Sequence, residues 1–184
     1  MTSEALKTFD HSIQDALELL GHFDALNSNP PPPEIEVFKR AGIVMALAAL
    51  ETYFEDRLIE AADAITRSEK PRSHLSDFFR DSLESDLKFF HTPSTDRVRP
   101  IFSKYLGLDI TQGWSWNNCD SPTARIELNK LAKLRGEIAH RSVRPISGEP
   151  QTSKHIVKRE DLRKYIHFVQ QIALTTDLYI DKEL

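Results

Sequence analysis

Arg135 and His140, separated by four residues within Arg135-Gly136-Glu137-Ile138-Ala139-His140, are the side chains of this chain best suited to do chemistry. Arginine keeps its charge under all ordinary conditions and presents a fork of donors that matches a carboxylate or a phosphate. Histidine titrates near neutral pH and so can give or take a proton. With Leu128 at the origin of a helical wheel, at about 100° per residue, Leu134, Ile138, Leu131, Ala124, Ala139 and Ala132 share one apolar arc with it. Arg135 falls near the middle of that arc, with Lys130, Lys133 and Glu137 opposite. A guanidinium on an apolar stripe needs a carboxylate, carbonyl groups or an anionic ligand. The pattern therefore predicts an arginine that is either paired with a carboxylate, Glu51 being the obvious candidate, or exposed in a cleft. His140 sits where that helix should end, as a cap or as a proton carrier.

The elements that would position these groups are helical. Apolar residues recur at helical spacing, with no alternating strand pattern, so the fold class is all-α. A first helix is expected from Ser3 to about Ala25, with Leu6, Phe9, Ile13, Leu17 and Leu20 on one face. Four prolines, Pro30 to Pro33, then form an extended connector. The next helix, about Glu34 to Thr66, is apolar on several sides near its middle and should be the central one of a bundle. Ser73 would cap a third helix carrying Leu75, Phe78, Phe79, Leu83, Leu87 and Phe90. A shorter helix stops at Leu106-Gly107, and a loop with Trp114 and Trp116 leads to Ser121-Pro122, a cap and first-turn pair. The helix through Arg135 follows, then a polar loop from Arg141 to His155 and a last helix from about Lys158 to Tyr179. The expected organisation is one domain, 1–184, made of an N-terminal helix and arm (1–29), the proline connector (30–33) and a core bundle (34–184).

Composition narrows the function. The net charge is −4, against broad non-specific gripping of nucleic acid. A local surplus nevertheless exists between Arg125 and Arg144, where six basic residues, Arg125, Lys130, Lys133, Arg135, Arg141 and Arg144, meet two acidic ones, Glu127 and Glu137. Within it Arg141 and Arg144 are candidate substrate-binding residues, while Lys130 and Lys133 read as a solvated helix face. The single cysteine, Cys119, excludes an internal disulfide and a thiolate zinc cage and suits a reducing compartment. Histidines 11, 22, 74, 91, 155 and 167 lack metal-ligand spacing. Glu84-Ser-Asp86-Leu-Lys88 is set aside as a metal-nuclease motif because such sites sit on a sheet. Trp114 and Trp116 either stack bases or plug the edge of the core. The chain lacks a signal-peptide pattern and an apolar run near 20 residues, so a cytoplasmic location without membrane contact is expected.

The arginine, four residues, histidine signature resembles that of the HEPN superfamily. Leu47-Ala-Ala-Leu-Glu51-Thr-Tyr-Phe54 resembles the family's early helix with an embedded glutamate. Ile101-Phe-Ser-Lys-Tyr-Leu-Gly-Leu108, the tryptophan loop and Leu128 to His140 resemble the bacterial subgroup called RiboL-PSP-HEPN. The resemblance implies an up-and-down helical bundle with an additional N-terminal helix, working as a homodimer that cleaves RNA without a metal or other cofactor. His140 would take the proton of a ribose 2′-hydroxyl, Arg135 would stabilise the phosphate, Glu51 would position Arg135, and the product would carry a 2′,3′-cyclic phosphate. A toxin or phage-defence role, with a cognate inhibitor or operon partner protein, goes with that picture; a non-catalytic module binding RNA, a nucleotide or a protein is the alternative. Gly136 departs from the polar residue that many active members place after the arginine. On an ideal helix Arg135 and His140 diverge by roughly 140°, so a two-fold contact that apposes two copies is the expected remedy.

Overall fold

The computed structural model describes residues 2–28, 32–66, 74–141 and 157–184. Among them the elements are α1 (Glu4–Ser12), α2 (Gln14–Leu26), α3 (Glu36–Thr66), α4 (His74–Leu87), α5 (Thr95–Leu106), α6 (Ser121–Arg141) and α7 (Arg159–Glu183). Short 3₁₀ turns at Pro33–Ile35 and Ile110–Gly113 complete them. The described residues contain no strand, only an isolated bridge between Trp116 and Cys119. The protein is an all-α bundle.

α3 is the axle, packed against α1, α2, α5, α6 and α7 and more lightly against α4. Ile43, Leu47, Leu50, Phe54 and Leu58 are sealed within it, as its many-sided apolar pattern requires. Gly42 lets α7 come close, since a Cβ there would meet the Leu162 methyls at 3.0 Å.

The single N-terminal helix of the sequence reading is two helices with a break at Ile13. Ser12 Oγ and Gln14 Nε2 donate to the carbonyls of Thr8 and Asp10, each at 3.0 Å. Such side-chain bonds to the backbone compete with the helical ladder and bend it. The apolar stripe survives the bend: Phe9, Ile13 and Ala16 are buried in the same core as α3. α1 starts from the Ser3 cap, which accepts from the Leu6 amide at 3.0 Å and donates through Oγ to Asp177 of α7. Asp177 also lies 2.8 Å from Nε of Arg57, whose Nη2 donates to Asp181 at 2.6 Å. This closed knot binds α1, α3 and α7 together.

Two further expectations on boundaries change. Ser121 does not cap α6; Asp120 does, accepting from the Thr123 amide at 2.9 Å, while the Ser121 hydroxyl donates to the Thr111 carbonyl at 2.6 Å. Trp114 is a core plug rather than a stacking platform, fully buried over Phe54 with Nε1 donating to Thr176 Oγ1 at 2.8 Å. Trp116 is half-buried on Phe168. The cap expected at Ser73 and the prolines at 30 and 31 lie outside the described residues.

Candidate functional site

α6 carries Arg135 and is held at two levels. Ala124, Leu128, Leu131 and Ile138 bury one stripe in the core. Asn129 ties the helix to the start of α5, its Oδ1 accepting from the Thr95 amide at 2.9 Å and its Nδ2 donating to Thr95 Oγ1 at 2.7 Å. Six residues further on, about 9 Å along the axis, Arg135 leaves the same stripe with its side chain 28% exposed. It is neither sealed in the bundle nor free in solvent.

Glu51 meets it from α3. The helix around Glu51 is immobilised by its core neighbours Leu50, Tyr53 and Phe54. Arg135 Nη2 lies 3.8 Å from Glu51 Oε2, within ion-pair range but beyond a hydrogen bond. That oxygen is buried and accepts no hydrogen bond among the described residues. Arg135 Nη1 donates at 3.4 Å to the carbonyl of His91, in the turn after α4. The guanidinium has five N–H donors and spends one of them on a long contact. Its remaining donors make no hydrogen bond among the described residues, and the side chain is partly open to solvent.

The carboxylates beside it hold protons more tightly than usual. Burial pushes Glu51 up, with Arg135 and His91 acting in the opposite direction. Glu55, one turn further along α3, is raised to about 7, by burial first and then by the charges of Glu51 and Asp56. Near neutral pH Glu55 therefore carries only part of a negative charge.

The structure brings Arg135 and Glu51 together and leaves His140 apart. His140 is exposed near the end of α6, and its ring has no hydrogen bond or ion pair to either group. Ala139, placed on the apolar arc by the wheel, is also exposed. A Cβ on Gly136 would meet nothing within 4 Å, so open space lies beside the residue after the arginine. The side chain of Arg141 and the whole of Arg144 lie outside the described residues. His91 was not singled out by spacing, because it contributes a backbone carbonyl and any residue type could do so. Among the described residues no group of three or more His, Cys, Asp or Glu side chains has the arrangement to hold a metal ion. No described helix is long and apolar enough to cross a membrane.

An all-α bundle with a glutamate on its central helix facing an arginine, and a histidine five positions after that arginine, is the arrangement of a HEPN-type domain. The RiboL-PSP-HEPN family model matches residues 10–182, nearly the whole chain, and the protein belongs to that family. Comparisons with curated proteins and with solved structures gave no match.

Proposed function

We propose that the protein is a metal-independent endoribonuclease of HEPN type, with a toxin or phage-defence role, acting as a homodimer. The observation that carries the reading is the state of Arg135: half-exposed, loosely held, and backed by a carboxylate rather than consumed by one. An arginine so placed can receive a phosphate through several donors at once.

In the proposed reaction the His140 imidazole removes the proton from a ribose 2′-hydroxyl. The 2′-oxygen attacks the adjacent phosphorus, the bond from phosphorus to the 5′-oxygen breaks, and that oxygen leaves as a hydroxyl after taking up a proton. The products are a 2′,3′-cyclic phosphate and a 5′-hydroxyl. Arg135 stabilises the charge that grows on the non-bridging oxygens, and Glu51 positions its guanidinium. Because His140 and Arg135 diverge around one helix, the imidazole that serves a given phosphate comes from a second copy across a two-fold contact.

Incubation of purified protein with RNA in EDTA should give fragments ending in cyclic phosphate. His140→Ala and Arg135→Ala should each lose that activity, while a mixture of the two inactive variants should regain part of it through hybrid dimers. Unchanged cleavage by His140→Ala would remove the histidine from the reaction, and a monomer by light scattering would remove the shared site. RNA binding without cleavage would leave a non-catalytic HEPN module. Growth arrest on expression, abolished by Arg135→Ala, is the expected sign of a toxin.

A further inference from the structure

A cavity of about 260 Å³ opens between the end of α4 and one face of α5. Ligand pockets for drug-sized molecules run from about 300 Å³ upward, so this one suits a smaller planar group. Phe90 is buried and forms the apolar floor, together with Ile101. Phe89, the adjacent residue, is 70% exposed at the rim. A large aromatic surface left in water beside a cavity gains by being covered.

The charged groups of the lining are unequal. Lys104 is engaged by Asp86 at 2.6 Å, and the same carboxylate accepts from the Tyr105 hydroxyl at 2.8 Å. Arg97 has no ion pair among the described residues and lies one position after Asp96 at the start of α5. Arg97 therefore remains to meet a phosphate, and Asp96, which also acts electrostatically on Arg99, supplies a carboxylate suited to an amino donor on a base. The cavity also lies close to Arg135: the residue after Phe90 is His91, whose carbonyl receives Arg135 Nη1. One short turn separates the two.

The geometry points to this cavity as the seat of a nucleobase of single-stranded RNA, next to the phosphate held at Arg135, with Phe89 stacked on the base and Arg97 on the neighbouring phosphate. The inference rests on the nuclease reading of Arg135 and deepens it by naming where the substrate strand is gripped. Single-stranded RNA, whose bases are free to splay onto aromatic side chains, is the form such a site selects.

The test uses the full chain and short fluorescent RNA homopolymers whose 2′-hydroxyls are methylated, so that nothing is cleaved while anisotropy is measured. Phe89→Ala should weaken binding about tenfold to a hundredfold, the range expected for one stacked base. Phe89→Trp should keep it, and Arg97→Ala should weaken it with a shallower salt dependence. Homopolymers with amino-bearing bases should bind more tightly than oligouridine. Phe89→Ala with the parent's affinity, or a parent that binds none of the homopolymers, would overturn the proposal. So would a Phe89→Ala protein that changes from dimer to monomer while still binding RNA normally. Cleavage of unmodified RNA, measured in parallel, separates the two readings. Equal cleavage by wild type and Phe89→Ala sinks the base site alone, whereas Phe89-dependent binding without cleavage sinks the nuclease alone.

Discussion

Two arginines on the same molecule meet carboxylates in opposite ways. Arg57 is 5% exposed and closed off by Asp177 and Asp181 at 2.8 and 2.6 Å. Arg135 is 28% exposed, stands 3.8 Å from its single carboxylate and gives one long hydrogen bond to a carbonyl. The first geometry holds helices together and leaves little capacity for a guest. The second leaves most donors unspent on a partly exposed side chain, which is what a phosphate-binding group requires. On the proposed function, the difference separates a structural ion pair from one kept available for a ligand.

The largest expected effect follows from breaking the first pair. Arg57→Ala leaves Asp177 buried without its cation and should cost about 3–5 kcal/mol of stability, seen as a large fall in the urea midpoint. A loss below about 1 kcal/mol would mean that the knot is not structural and would erase the contrast.

A smaller effect should appear at Glu55. Its folded pKa, about 7, lies above the ordinary 4.5, so the folded state binds the proton more tightly than the unfolded chain does. The penalty on folding is absent below about pH 4.5, grows as pH rises, and is complete above about 7. Glu55 is half-buried, and solvent screening on its open side reduces the effect to roughly 1 kcal/mol. Glu55→Gln should therefore melt higher than wild type at pH 8 and equally at pH 4.5; equal melting at both would show that the carboxylate is not perturbed.

The smallest effect belongs to Arg135. Its loose pair predicts that Arg135→Ala costs no more than about 1 kcal/mol of stability while abolishing RNA cleavage. A loss comparable to that of Arg57→Ala would make Arg135 a second structural arginine.

Much of the bundle was legible because helical periodicity records burial directly. The arc through Leu128, Leu131 and Ile138 put Arg135 near its middle, which called for a partner and made Glu51 the candidate. Other features left no such record. The break at Ile13 is invisible to periodicity, since Phe9, Ile13 and Ala16 stay buried across it and the cause lies in side chains reaching backward. The Asp120 cap was hidden by an equally suitable Ser121. Phe89 and Phe90 are identical in type and adjacent, yet one is exposed and the other forms a floor, because the α4 helix ends at Leu87 and the turn beyond it decides which ring faces inward. The nearness of His91 to Arg135 depends on that same turn and on a backbone atom, where residue identity carries no signal.

α3 runs unbroken through both arginine sites, with Glu51 and Arg57 six residues apart on one rigid rod. The carboxylate that faces Arg135 is thus already immobilised before any guest arrives. An incoming anion has to restrict the rotamers of a single long side chain, at an entropic cost of no more than about 2 kcal/mol, instead of ordering a loop or a helix. Such a site is ready on arrival, and its selectivity is left to whatever lies on either side of it.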